Sequence, residues 1–105
     1  METVTEPEAK KPPPRLRAVP AHVAADPSAL IDATTLCTLD SVSLSTEERW
    51  IADGTQVPWI RLGPRCRRAN SGETRATRRA RIAGATDDEL RELVASLVEA
   101  RRRAA

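Results

Sequence analysis

The clearest alternation of apolar and polar residues lies near the C-terminal end of the chain. Five aliphatic residues there follow the i, i+3, i+4, i+7, i+8 spacing of one helix face: Leu90, Leu93, Val94, Leu97 and Val98. Thr86 and Glu89 stand at capping-box spacing before this stripe, and three arginines after it suit the negative end of a helix. The pattern predicts an amphipathic helix over residues 86–104. Its apolar stripe packs either on the rest of the protein or on a second copy of the chain.

A second ordered region is predicted from about Leu30 onward. Asp32 is a good N-cap for a short helix from Ala33 to Leu39, which offers three side chains to a core: Leu36, Cys37 and Leu39. A serine-rich turn anchored by Val42 follows this helix.

The next segment predicts another short helix. Ser45 is a suitable N-cap, and Glu48 stands three residues later, which completes a capping box. Gly54 then suits the left-handed position that ends a helix, so the helix runs to about Asp53. Its buried side is expected to consist of Trp50 and Ile51.

A hairpin is predicted after this helix. Residues 57–62 have the β-branched and aromatic content of a strand, with Pro58 marking an edge position. Gly63 and Pro64 form a turn signal, and residues 66–68 return as the second strand.

Two segments lack apolar periodicity. Residues 1–28 contain six of the eight prolines and are predicted to be a disordered arm, whose basic residues could touch phosphates: Lys10, Lys11, Arg15 and Arg17. Residues 70–85 contain Ile82 as their one large apolar side chain and are predicted to be a mobile arginine-rich linker. The organisation is therefore an arm at 1–28, a domain at 29–69, a linker at 70–85 and a helix at 86–104.

The charge is unevenly distributed along the chain. The formal net charge is only +2, but residues 61–81 hold eight arginines against Glu73, a net charge of +7. Such a block is the electrostatic footprint of a protein that binds a polyanion. The alternative is that it is a solvated linker.

The residues needed for catalysis or metal binding are missing from the sequence. Cys37 and Cys66 lie 29 positions apart without a CxxC motif, and His22 stands in the proline-rich arm. We therefore expect no metal, no cofactor and no enzymatic activity. The absence of a signal peptide and of a long apolar stretch predicts a reduced cytoplasmic protein with free thiols and no membrane contact.

Residues 30–68 resemble a known family of DNA-binding proteins. Two patterns carry the resemblance: Val42-Ser43-x-Ser45-Thr46-x-x-Arg49-Trp50-Ile51-x-x-Gly54 and Ile60-Arg61-Leu62-Gly63-x-Arg65. They are similar to the AlpA-like and excisionase-type small winged helix-turn-helix proteins of phages and prophages, in the MerR-like superfamily. The resemblance implies a mainly α fold in which two short helices and a β-hairpin wing form the domain at 29–69.

The resemblance also implies roles for individual residues. The hydroxyls of Ser43, Ser45 and Thr46 would meet a phosphate at the helix N-terminus, and Arg49 would reach a base edge or a phosphate. The remaining phosphate contacts would come from the wing: Arg61, Arg65, Arg67 and Arg68. The simpler alternatives are that Ser45 is only a helix cap and that Arg49 forms an ion pair with Asp53.

The sequence departs from the family pattern at several positions. Glu47 and Glu48 place two carboxylates on the helix that would read DNA, and Ala69 stands where the family has a tryptophan. The closing helix of the family is expected to be missing, because the arginine-rich segment takes its place.

The predicted function is sequence-specific binding of double-stranded DNA by a cytoplasmic, nucleoid-associated protein of mobile-element origin. It would act as an excisionase (a recombination directionality factor) with an integrase partner, or as a transcriptional regulator. The five aliphatic residues of the C-terminal helix would support self-association on DNA. The alternative is a non-enzymatic protein-interaction or antitoxin-like module that uses the C-terminal helix, with the arginine block as a solvated or RNA-binding linker.

Overall fold

Four helices and three short strands follow one another along residues 27–104, the part of the chain that the computed structural model describes. In chain order they are β1 (Leu30–Ile31), α1 (Ala33–Asp40), α2 (Leu44–Asp53), β2 (Ile60–Gly63), β3 (Cys66–Asn70), α3 (Ser71–Ile82) and α4 (Asp87–Ala104). This confirms a mainly helical protein with a small antiparallel sheet. The predicted arm at 1–28, with its four basic residues, lies outside the described residues except for Pro27 and Ser28.

The first two helices are capped by short polar side chains. Asp32 caps α1 as predicted, because its Oδ1 accepts a hydrogen bond from the Thr35 backbone N–H at 2.8 Å. The predicted cap of α2 was wrong: Ser43, not Ser45, has the extended backbone of an N-cap, and its Oγ accepts from the Thr46 N–H at 3.2 Å. Ser45 already lies inside the first turn, so the predicted capping box with Glu48 does not form. Gly54 ends α2 with φ 79°, as predicted.

β3 is the central strand of the sheet. It pairs antiparallel with β2 to form the hairpin, in which Arg61 lies opposite Arg67, and with β1 on its other side, where Ile31 lies opposite Ala69. The sequence did not predict β1, since a two-residue strand shows no alternation. A small apolar cluster joins the sheet to α1: Ile31, Leu36 and Ala69, with Leu39 and Trp59 packed against them.

α3 overturns the prediction of a mobile linker at 70–85. Asn70 caps it by accepting from the Glu73 N–H at 2.9 Å, and its buried face consists of Ser71, Thr74 and Thr77. The Thr74 hydroxyl donates to the Asn70 carbonyl at 3.2 Å and the Thr77 hydroxyl donates to Gln56 Oε1 at 2.8 Å, so burial leaves both satisfied. A buried face made of hydroxyl residues carries no apolar periodicity, which is why the sequence did not reveal this helix.

The start of α3 is packed tightly against residue 27. The Gly72 N–H donates to the Pro27 carbonyl at 3.0 Å, and a Cβ at Gly72 would lie only 2.6 Å from that oxygen. Only glycine allows this approach without a shift of the backbone. The ordered region was predicted to begin near Leu30, but the fold already includes Pro27 through this contact.

α4 is the predicted amphipathic helix. Thr86 and Glu89 form the capping box, with the Thr86 N–H donating to Glu89 at 2.8 Å and the Glu89 N–H donating to Thr86 Oγ1 at 3.2 Å. The helix packs along α3 and reaches α2 through Arg91, whose Nε donates to the Asp53 carbonyl at 2.9 Å. Over residues 27–104, no helix combines the length and apolar content of a membrane span.

Candidate nucleic-acid interface

One face of α2 is exposed. Ser45 and Arg49 stand one turn apart on this face and are exposed, whereas Glu47 on the opposite side is completely buried. Ser43 is exposed and Thr46 half-buried at the start of the helix, where their hydroxyl oxygens lie 3.2 Å apart. The residues predicted to meet DNA from α2 therefore lie on its solvent side or at its N-terminus.

Arg49 is available on that face. Within residues 27–104, no ion pair joins Arg49 to Asp53, so the simpler interpretation of Arg49 as an ion-pair partner is not supported. A guanidinium one turn into an exposed helix face has the reach to contact a base edge or a phosphate.

The four arginines of the hairpin fall into two groups. Arg61 and Arg65 are exposed, as a surface for phosphates requires. Arg67 and Arg68 are half-buried and already engaged: Arg67 pairs with Glu48 at 3.0 Å, and Arg68 Nη1 donates to the Arg67 carbonyl at 2.8 Å. Two of the four predicted wing arginines, Arg61 and Arg65, therefore have no side-chain hydrogen bond or ion pair to another described residue.

Glu48 connects α2 to the hairpin. Its Oε2 pairs with Arg67, its Oε1 accepts a hydrogen bond from the Trp59 indole Nε1–H at 3.4 Å, and the Arg67 guanidinium lies 4.7 Å from the centroid of the Trp59 ring. This role replaces the capping role predicted for Glu48. The only sequence signal for it was the presence of two adjacent carboxylates on a helix expected to face DNA.

A cluster of buried polar side chains lies behind α2. The Gln56 amide nitrogen donates to Glu47 Oε1 at 3.1 Å and to Asp40 Oδ2 at 3.4 Å, and Gln56 Oε1 accepts from the Thr77 hydroxyl at 2.8 Å. Arg78 pairs with Asp40 at 2.7 Å. The cluster joins α1, α2, the segment after α2 and α3, and nothing in the sequence pattern predicted it.

Arg81 makes the second link between α3 and α2. Its guanidinium carbon lies 3.6 Å from the centroid of the Trp50 ring, and its Nη2 donates to the Thr55 carbonyl. Burial lowers the pKa of Arg81, while the carboxylates of Asp40 and Glu47 oppose that shift. Arg78 and Arg81 therefore act inside the fold, so the +7 block of residues 61–81 is not one continuous basic surface.

Glu47 has an unusual protonation state. The pKa of Glu47 is raised to about 8, chiefly by desolvation and also by a side-chain hydrogen bond with Asp40. The Glu47 carboxyl is therefore mostly protonated at neutral pH. Its Oε2 is buried without a hydrogen-bond donor among the described residues, which suits a protonated oxygen that itself donates.

The apolar stripe of α4 is only partly available for self-association. Leu90 and Val94 are buried within the protein's own fold, at 2% and 7% exposure, whereas the other three residues are half-buried: Leu93, Leu97 and Val98. Arg101 near the end of the helix donates to the Pro58 carbonyl at 3.2 Å and pairs with Glu73. Much of the predicted self-association stripe therefore contributes to the protein's own core.

The described residues contain no cluster of metal-ligating side chains, and both Cys37 and Cys66 are free. Comparisons with known protein families, with curated proteins and with solved structures found no match for this chain.

Proposed function

We propose that the protein binds double-stranded DNA as a winged helix-turn-helix, with α2 in the major groove and the β2–β3 hairpin as the wing along the phosphates. One observation carries the proposal: the exposed face of α2 with Arg49 and the hairpin with the exposed Arg61 and Arg65 are held together through Glu48. A helix beside a basic hairpin offers base contacts from one element and phosphate contacts from the other.

The presence of α3 supports this proposal. The closing helix was expected to be missing, yet a helix follows the hairpin directly and packs behind α2 through Thr77 and Arg81. This helix supports the proposal because the resemblance implies a closing helix at this place, and a polar cluster attaches it here.

The proposed cellular role is that of an excisionase or a transcriptional regulator, associated with the nucleoid and without enzymatic activity. An excisionase would work beside an integrase on repeated sites, whereas a regulator would occupy an operator. A domain with few base contacts binds weakly as a single copy, so cooperative loading of several copies would raise occupancy.

A second candidate function uses α4 as a docking helix for another protein. The half-buried Leu93, Leu97 and Val98 favour it, because they leave part of an apolar stripe accessible. The burial of Leu90 and Val94, together with the internal role of Arg81, counts against the accompanying idea that residues 70–85 are a free or RNA-binding linker.

Selection of bound sequences from random duplex DNA tests the proposal. We expect enrichment of a short motif and an affinity that falls steeply as salt is raised. Absence of enrichment, together with no duplex binding at low salt, would contradict DNA binding and leave the docking function of α4 as the better explanation.

A further inference from the structure

Glu48 is a carboxylate at the edge of the surface proposed to face DNA. It stands next to Arg49 and three residues after the exposed Ser45, so it borders the surface proposed to face DNA. Phosphates repel a carboxylate in that position, and a neutral side chain there would bind duplexes more tightly. Its contacts to the hairpin suggest what it contributes instead.

Two side chains at the hairpin contact the Glu48 carboxylate directly: Arg67 of β3 at 3.0 Å, and the indole of Trp59, the residue before β2, at 3.4 Å. Arg61 is the cross-strand partner of Arg67. One carboxylate therefore fixes the hairpin against α2 and occupies the guanidinium of one arginine.

The Glu48–Arg67 pair is exchangeable. The two side chains are 42% and 40% exposed, so the pair is partly solvated and weak. A phosphate of a bound duplex can therefore compete with the Glu48 carboxylate for the Arg67 guanidinium. The Trp59 hydrogen bond does not depend on the charge of Arg67 and keeps the carboxylate in place.

We propose that Glu48 is a positioning residue that determines specificity, because it withholds Arg67 from phosphates and holds the hairpin at a fixed angle to α2. Binding to random DNA needs only phosphate contacts, so withholding Arg67 weakens it. Binding to the preferred site needs α2 and the wing to fit simultaneously, so it benefits from the fixed angle. Glu48 thus raises the ratio of specific to random affinity. The inference rests on the proposed function.

Glu48→Gln tests the inference, since glutamine keeps an oxygen that accepts from Trp59 but loses the charge that holds Arg67. We expect random duplex to bind about two- to fivefold more tightly. The slope of log K against log salt should steepen by about 0.9, the value for one further phosphate contact. The preferred site should gain less, so the specificity ratio falls. Glu92→Gln, the same charge change on an exposed residue of α4, is the matched control and should leave the slope unchanged.

A double-variant comparison assigns the effect to Arg67. In an Arg67→Gln background, Glu48→Gln should no longer steepen the salt slope, because the arginine that would gain the phosphate is missing. An equal steepening with and without Arg67 would overturn the inference and leave only general repulsion by Glu48. The inference would also be overturned if Glu48→Gln alone changed neither the slope of log K against log salt nor the ratio of specific to random affinity.

A measurement without DNA separates this failure from failure of the proposed function. The indole N–H resonance of Trp59 should shift in Glu48→Ala relative to the parent protein, with Trp50 as the internal reference. If this shift occurs but the parent protein binds no duplex, the proposed function is wrong and the inference falls with it. If the parent protein binds duplex but the Trp59 resonance does not move, the contact of Glu48 with the hairpin is wrong and only the inference is overturned.

Discussion

The Arg81 guanidinium lies over the Trp50 ring, with its central carbon 3.6 Å from the ring centroid. This contact joins α3 to the inner side of α2, and the same guanidinium donates to the Thr55 carbonyl just after α2. Arg81 therefore holds the inner side of α2, the helix whose exposed side carries Arg49.

Replacing Arg81 by Ala should destabilise the whole fold. The change removes a partly desolvated cation–π contact and a charged hydrogen bond, so the free energy of unfolding should fall by about 1–3 kcal/mol in urea titrations. Arg79→Ala is the control, because Arg79 is exposed and lies on the opposite side of α3, two residues from both Thr77 and Arg81. Equal stability of the two variants would show that the Trp50 contact contributes nothing.

The stability of the protein should depend on pH through Glu47. Its pKa in the fold, about 8, lies above the ordinary value of 4.5, so the folded state binds a proton that the unfolded state has lost. The stabilisation is complete below about pH 4.5 and is lost as pH rises through 8, with a slope of up to about 1.4 kcal/mol per pH unit. Denaturation series between pH 5 and 9 measure this slope.

Glu47→Gln identifies the group responsible. The amide mimics the protonated carboxyl beside Asp40 and Gln56, so the variant should show a flatter profile and exceed the parent protein in stability above pH 8. Two other groups with shifted pKa values do not affect stability between pH 5 and 9. The pKa of Asp32 is lowered from 3.8, so its effect on stability lies below pH 3.8, and the pKa of Cys37 is raised from 9.0, so its effect lies above pH 9.0. Parallel pH profiles for variant and parent would refute the assignment.

Arg49→Ala should weaken binding to the preferred duplex by about 1–3 kcal/mol and relax discrimination at one base pair. The expectation follows from the exposed position of Arg49 one turn after Ser45. Competition assays against single-base variants of the selected site give the measurement. A loss of equal size on specific and random DNA would make Arg49 a phosphate contact instead.

The double variant Arg61→Ala, Arg65→Ala should weaken binding to all duplexes alike. Both side chains are exposed on the hairpin, and if each touches one phosphate, the slope of log K against log salt falls by about 1.8. Fluorescence anisotropy over a salt series measures the slope. A slope equal to that of the parent protein would show that Arg61 and Arg65 do not contact phosphates, and the hairpin would then not belong to the interface.

The two sides of the α4 stripe should respond differently to substitution. Leu90→Ala should lower the free energy of unfolding by about 2–5 kcal/mol, since Leu90 is 2% exposed. Replacing the half-buried Leu93 and Leu97 together by Lys should leave single-site binding intact and abolish cooperative occupancy of tandem sites. Circular dichroism establishes whether the double variant folds. Loss of its helical signal would assign both residues to the core, and unchanged cooperativity would exclude self-association through α4.

The sequence predicted the elements that depend on local chemistry. The Asp32 cap, the Gly54 helix end and the Thr86–Glu89 capping box are each set by residues within four positions of one another, and each is confirmed. The hairpin also forms, but its first strand covers Ile60–Gly63 and not the predicted residues 57–62. The cap of α2 was assigned to Ser45 because Glu48 stands at capping-box spacing, but Glu48 has long-range partners on the hairpin.

What the sequence could not predict depends on contacts between distant polar residues. α3 was missed because its buried side is made of Thr74 and Thr77, which pattern analysis assigns to the surface. The partners of Glu47 are likewise remote in sequence, since its burial depends on Gln56 and on residues of α3. Hydrophobic periodicity contains no information about such a polar interior.

The hydroxyl-lined face of α3 has a consequence for how the protein responds to temperature. Separating α3 from α2 would expose threonine side chains and charged groups rather than a large apolar surface. Because polar exposure lowers the heat capacity whereas apolar exposure raises it, this separation should have a small heat-capacity change. The attachment of α3 should consequently lack the weakening on cooling that contacts based on apolar burial show.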